Sequence, residues 1–345
     1  MDHTTTKPDT PVTHAFTCDV EAWFHAHNLN IPKASWERLP TRLEQCMSDL
    51  LERLDRWNLR ATFFVLGDAA RRHPKLIKTI ADSNHEVACH GWNHDVVSQL
   101  EPRSFHRDVL DARRYLQDVT GQPIEGYRAP AYSITPATAW ALPVLAEVGF
   151  SYDSSIYPVR SPHGRYGWPG TPREPHELRH DDGSTIGLWE FPLPVLDLGP
   201  RKIPALTGGY LRLYPTCISQ WALAQHNALR IPAVMNIHPW ELDVELSRDG
   251  TCKISSEAMA LVGQFSNTTK LKRWMHSQGT KRLLPRLEQL ISTSQMRPLI
   301  ELLNDRRLVK ARSTSKETNS PRSELMDAAT QEPAQQRRGD LSGMS

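Results

Sequence analysis

A mostly parallel α/β sheet, open or closed into a barrel, is predicted by three observations. Short β-branched and aromatic runs alternate with amphipathic helical segments from Thr13 to Ile237. Several of these runs are continuously apolar, as strands buried on both faces are. The polar residues with chemical potential follow strands rather than precede them, which is where parallel barrels gather their reactive groups.

Residues 1–12 form a polar lead, read as disordered. Thr13–Cys18 is a short strand delivering Asp19 and Glu21, followed by an aromatic loop from Trp23 to Trp36. Leu39–Trp57 places Leu43, Met47, Leu50, Leu51 and Leu54 at helical spacing. Ala61–Leu66 is aromatic and β-branched, ends at Gly67, and reads as a buried strand. A helix from Pro74 to about Ser83 has proline at a favoured first-turn position, and the strand Glu86–Cys89 presents His90. Pro102–Val119 is a charged amphipathic helix, Gly126–Ala131 leads into an arginine loop, and Thr135–Val148 is a helix stopped by Gly149. Phe150–Ser154 is a strand end. A proline- and histidine-rich excursion from Pro158 to Asp182 interrupts the pattern before Leu188–Phe191 resumes it. Tyr214–Arg230 is helical, and Ile231–Ile237 is an apolar strand delivering His238.

Beyond Cys252 the chain becomes helical and rich in Lys and Arg. Leu261, Phe265, Leu271, Trp274, Leu283, Leu284, Leu287, Leu290 and Ile291 are its packing residues, in helices that close over the barrel. From about Asp305 few large apolar residues remain, so disorder is expected. The domain layout is a lead at 1–12, a main α/β domain at 13–250, a helical extension at 251–304 and a disordered tail at 305–345.

With 345 residues the chain can hold one large α/β domain of roughly 250 residues plus appendages. Apolar content of 39% and charged content of 23% describe a globular protein, and the 26 prolines imply irregular loops. A net charge of +2, with no basic cluster interleaved with aromatics, argues against nucleic acid as a partner. Five cysteines without a C-x-x-C spacing suggest neither a disulfide framework nor a cysteine zinc site, and fit a reducing compartment. The N-terminus lacks an apolar signal region, and no stretch approaches the roughly 20 apolar residues that span a bilayer. A cytoplasmic location is expected, with no transmembrane segment.

Chemistry concentrates in four places. His90-Gly-Trp-Asn-His94 carries two imidazoles four residues apart, which on a helical turn project to one side and can grip one metal. Alone this spacing is only suggestive, because a chain with 15 histidines produces such pairs by chance. Its company is the carboxylate pair Asp19-Val-Glu21, Arg128-Ala-Pro130 and His238-Pro-Trp-Glu241. Asp19, Glu21, His90, His94, Arg128, Asp153 and His238 all follow strands.

These motifs resemble the polysaccharide deacetylases that share the NodB homology domain, carbohydrate esterase family 4. Asp19-Val-Glu21, His90-Gly-Trp-Asn-His94, Arg128-Ala-Pro130, Asp153-Ser-Ser155 and Asn236-Ile-His238 stand in that family's order, over roughly residues 13–245. Most of the family has two adjacent aspartates. The Asp-Val-Glu spacing resembles instead the branch of exosortase-associated (XrtA/PEP-CTERM) exopolysaccharide deacetylases and the peptidoglycan-deacetylase and allantoinase relatives. Gly208-Gly-Tyr-Leu-Arg212, His238-Pro-Trp-Glu241 and the basic helical extension are further likenesses to the exosortase-associated type.

The resemblance implies a distorted (β/α) barrel and hydrolysis of N-acetyl groups on the amino sugars of an exopolysaccharide or its precursor. It implies a divalent metal, Zn2+, held by Glu21, His90 and His94, and partnership with an N-acetylated glycan and with polysaccharide-biosynthesis proteins. By analogy Asp19 is the base and Glu21 the metal ligand, while the spacing leaves the reverse open. Arg128 would pair with Asp19 and favour its ionised form. His238 would protonate the departing amine, since an imidazole near its reference pKa exchanges a proton at neutral pH. Asp153 would hold the second nitrogen of His238 or line the cleft, with Pro130, Tyr132 and Trp240 on the substrate side. Trp23, Phe24, Trp168 and Tyr210 are further rim aromatics able to stack on a sugar ring, with core packing as the rival role. The rival functions are hydrolysis of another amide or an O-acetyl ester, as in allantoinase-like relatives, and glycan binding without turnover.

Overall fold

In the computed structural model, which describes residues 11–29, 31–161, 164–243 and 278–318, the chain is built around parallel strands. These begin with β1 (Thr13–Val20), β2 (Thr62–Val65), β3 (Glu86–Cys89), β4 (Gly126–Tyr127) and β5 (Tyr152–Asp153). Then come β6 (His176–Arg179), β7 (Thr185–Glu190), β8 (Val195–Asp197), β9 (Lys202–Pro204), β10 (Val234–Ile237) and the two-residue β11 (Gln295–Met296). The sheet order is β10-β1-β2-β3-β4-β5-β7-β6, parallel throughout except for β6 with β7, and β11 adds to the start of β1.

The two ends of the parallel run, β10 and β7, are joined by irregular backbone. Phe191 N–H bonds the Asp153 carbonyl, Leu193 N–H that of Ile156, and Ala205 N–H that of Pro194, while Thr207 bridges Asn236 of β10. Pro192, Pro194 and Pro204 fall in this stretch, and a residue without an N–H cannot extend a ladder. Hence the barrel is distorted here, and β8 and β9 pair with each other as a separate hairpin.

Around the strands run α1 (Leu43–Arg56), α2 (Gly67–Arg72), α3 (Pro74–Asp82), α4 (Pro102–Thr120), α5 (Ala141–Val148), α6 (Gly208–Leu213) and α7 (Thr216–Leu229). α1 buries Leu43, Cys46, Met47, Leu50 and Leu54, a stripe one helix face wide, against the outside of the sheet. Gly121 and Gly149, at φ +71° and +98°, end α4 and α5 in the left-handed conformation that glycine adopts without strain. After residue 277 come α8 (Thr280–Ser292) and α9 (Leu299–Thr318).

Strand parity sorts the interior. Ala15, Phe64, Ala88, Tyr152, Phe191 and Val234 pack together inside the barrel with Leu299, Leu302 and Leu303. Phe16, Cys18, Phe63, Val65, Val87, Cys89, Met235 and Ile237, one residue out of step, pack outward in the main core. Leu299, Leu302 and Leu303 therefore plug the barrel's N-terminal opening. Residues to Leu303 form one compact unit, with a second from Asn304 onward.

Several elements differ from the expectation. The excursion at Pro158–Asp182 contains β6, and the six-residue α6 was not anticipated; nor were β8, β9 and β11, because a two- or three-residue strand carries no periodicity to read. Helix is observed only over Ala141–Val148, with a separate short turn at Pro136–Thr138, where Thr135–Val148 was expected. α9 continues as helix to Thr318, past the expected start of disorder at Asp305. Leu283, Leu287, Leu290 and Ile291 are buried on α8, whereas Leu261, Phe265, Leu271 and Trp274 lie outside the described residues.

Candidate active site

Asp19 and Glu21 lie two residues apart and so share the inward face of β1 and its extension, in line with Ala15 and Thr17. The same parity carries Ala88 to His90, Gly126 to Arg128, and Val234 through Asn236 to His238. At the C-terminal mouth lies one cleft of about 370 Å³, lined among others by Asp19, Glu21, His90, His94, Tyr132 and His238.

The two histidines are not held by a helical turn. Residues 90–94 form a loop in which Gly91 and His94 have φ of +78° and +57°, values no helix contains. Its position is set from α2, where Gly67 and Asp68 donate N–H groups to the carbonyls of Gly91 and Trp92. The Trp92 ring lies so close to Gly67 that a Cβ there would meet it at 2.6 Å.

Glu21, His90 and His94 are buried and bring three ligand atoms within 4.8 Å of one another. His90 Nδ1–H donates to the Arg128 carbonyl at 2.8 Å, leaving the Nε2 lone pair for a ligand, and burial lowers its pKa to about 4, so the ring is neutral. Burial alone would raise Glu21, but His94, then His238 and His90, hold its carboxyl far below the usual carboxylate range. Glu21 Oε2 lies 2.9 Å from His94 Nε2, yet this buried oxygen has no hydrogen-bond partner among the described residues. Two imidazoles and one carboxylate converging in this way fit a zinc-like divalent ion.

Asp19 stands beside this group with both oxygens engaged. Oδ1 accepts from Arg128 Nη1 at 2.8 Å and Oδ2 from Asn236 Nδ2 at 3.0 Å. Arg128 is fully buried, and its Nη1 also reaches Thr17 Oγ1 and Asn236 Oδ1, its Nε the Ser154 carbonyl and its Nη2 Ser154 Oγ. Its guanidinium lies 4.0 Å from the Phe64 ring centroid. Burial disfavours the cation, but Asp19 more than restores it.

His238 Nε2 faces Asp19 Oδ2 and Glu21 Oε1, each at 3.7 Å, while Nδ1 contacts Glu241 Oε2 at 3.0 Å. Burial lowers its pKa, but Glu241, then Glu21 and Asp19, raise it to about 9. Glu241 is itself fully buried and ion-paired to Arg212 at 2.7 Å. Trp240 stacks on His238 at 5.2 Å between centroids and donates Nε1–H to Glu21 Oε1 at 3.3 Å.

Three expectations are corrected. Asp153 neither touches His238 nor lines the cleft: Tyr152 points inward, so Asp153 points outward, where it sits buried beside Glu190 with both carboxyls raised, chiefly by burial. Glu241 takes the role at His238 that Asp153 was expected to fill. Pro130 is buried beneath the His90 loop against Gly91, and the cleft lining begins at Ala131 and Tyr132. Of the rim aromatics, Tyr132, Tyr210 and Trp240 line the cleft; Trp23 and Phe24 are buried in a cluster with Trp36, and Trp168 packs on the main core. Thr17 was not singled out, and Asn236, Arg212 and Glu241 stood in quoted motifs without an assigned role, although the inward parity of Thr17 and Asn236 was readable from the strands.

Fold and site together define a distorted parallel barrel with a two-histidine, one-carboxylate candidate metal centre at its C-terminal mouth. Residues 35–152 match the polysaccharide deacetylase family model, and residues 154–303 match a domain of unknown function, DUF3473. A peptidoglycan deacetylase-like protein of Gibberella zeae is 36% identical over 110 residues, 31% of this chain and 31% of that protein. A chitooligosaccharide deacetylase of a Bradyrhizobium strain is 34% identical over 101 residues, 29% of this chain and 44% of the relative. The chain spans less than half the length of these curated relatives. A crystal structure from Mycobacterium smegmatis, assigned as a polysaccharide deacetylase, has a TM-score of 0.55 at 21% identity, covers 98% of both chains, and shows the shared fold.

Proposed function

We propose that the protein is a metal-dependent deacetylase, hydrolysing N-acetyl groups of amino sugars in an exopolysaccharide or its precursor. One observation carries this reading: Glu21, His90 and His94 converge beside Asp19, which Arg128 and Asn236 orient, in one cleft. A Zn2+ ion held by Glu21, His90 and His94 would act as a Lewis acid on the acetamide carbonyl and ease deprotonation of water. Asp19 takes the proton of the attacking water; its engaged oxygens each keep a second lone pair for this. Arg128 and Asn236 hold the Asp19 carboxyl aimed into the site. As the C–N bond breaks, the electron pair stays on nitrogen and His238, kept protonated by Glu241, supplies the proton. Products are acetate and a free amine. Tyr132, Tyr210 and Trp240 present aromatic faces to the sugar.

Free Cys18, Cys89 and Cys217 accord with a cytoplasmic location, and no helix among the described residues is long and apolar enough to cross a membrane. Acetate release from N-acetylated oligosaccharides, an O-acetylated sugar and allantoin tests the reading. Release from the first alone is the expected result. Turnover of only the others overturns the substrate, and metal binding without any turnover favours a glycan-binding protein.

A further inference from the structure

We propose that the substrate is an anionic glycan, and that Arg165 selects it by pairing with a carboxylate on a sugar next to the one being deacetylated. This inference rests on the deacetylase reading and narrows its substrate class. The inner cleft is electrostatically closed on itself: Arg128 is paired with Asp19, and Arg212 with Glu241. The outer wall differs. It is formed by Arg165, Tyr166 and Tyr210, and Arg165 is exposed and in no ion pair among the described residues.

The placement of Arg165 is specified by its surroundings. Trp168 N–H donates to the Tyr157 carbonyl at 2.7 Å, drawing the segment against the cleft wall. Gly167, at φ +100°, passes so close to this wall that a Cβ would lie 2.5 Å from the Val159 carbonyl oxygen, so only glycine allows the approach. Tyr166 then packs on Tyr157, at 5.8 Å between centroids, and its hydroxyl meets that of Tyr210 at 3.0 Å. Two tyrosines offer ring faces and hydroxyls for a pyranose, and beside them stands a guanidinium, whose planar donors match a carboxylate. A neutral chitin-like chain gives that cation nothing to pair with; a glycan containing hexuronate does.

The experiment compares kcat/KM for acetate release from chitopentaose with that from an oligosaccharide alternating N-acetylglucosamine and glucuronate. The wild-type enzyme should prefer the anionic substrate, and the preference should shrink as salt rises. Arg165→Gln should lower kcat/KM on the anionic substrate about fivefold, through KM, the size expected of a solvent-exposed ion pair, and leave chitopentaose unchanged. Equal rates on both substrates, or an Arg165→Gln variant that keeps the preference, overturns the role of Arg165 while leaving deacetylation standing. Acetate release from neither glycan overturns the deacetylase reading itself.

Discussion

His94 Nε2 lies 2.9 Å from Glu21 Oε2 without a hydrogen bond joining them, and the bond from His90 Nδ1–H to the Arg128 carbonyl leaves the His90 Nε2 lone pair for the same centre. Such convergence is costly in a buried site unless something occupies the common point. Purified protein should therefore contain about one divalent ion per chain. His90→Ala should lose that ion with its circular dichroism unchanged; a variant that keeps stoichiometric metal would remove the triad as its site.

The two carboxylates of Asp19-Val-Glu21 should separate by mutation. Asp19→Asn should retain metal and lose acetate release by about 10²- to 10⁴-fold, the usual worth of a general base. Glu21→Gln should weaken metal binding instead. The reverse pattern would mean that Asp19 is the ligand.

Glu241, with Glu21 and Asp19 behind it, raises His238 to about 9, so His238 stays protonated across neutral pH and loses its proton only in alkaline solution. Glu241→Gln removes the leading source of that rise. The alkaline limb of kcat/KM should then move to lower pH, with the acid limb unmoved. An unmoved alkaline limb would rule out His238 as the acid.

Glu86 gives a pH dependence of stability independent of the site. Its carboxyl accepts from Thr62 Oγ1, Tyr152 OH and Ile300 N–H at the barrel's N-terminal end, and burial raises its pKa to about 7. A folded-state pKa above the unfolded one means that the group's contribution is full below about 4.5 and lost as pH rises through about 7. Glu86→Gln should flatten the urea midpoint across that window. A slope equal to wild type would show that Glu86 is not its source.

Much of the architecture was legible because it is written locally. Apolar runs such as Ala61–Leu66, the stripe from Leu43 to Leu54, and Gly149 after α5 each state their element within a few residues. The short β8, β9 and β11 were not legible: Gln295–Met296 is a strand only because β1 has an edge to offer it. The tail past Asp305 was expected to be disordered on composition, and composition does not register that a helix begun at Leu299 can run on. At the site, residue type and strand order pointed to Asp19, Glu21, His90, His94, Arg128 and His238. The error at Asp153 came from counting its position after a strand and not its parity, which turns it away from the cleft.

Taken by itself, the sequence determined which chemical groups arrive at the mouth of the barrel and in what order. Strand ends and the two-residue period are properties of neighbouring residues. Only the tertiary structure decided how those groups pair. That Asn236 and Arg128 claim Asp19 depends on contacts between residues 217 and 109 positions apart. Such contacts are set by how β10, β1 and β4 are arranged around the barrel, and no local pattern in the chain encodes a distance across it.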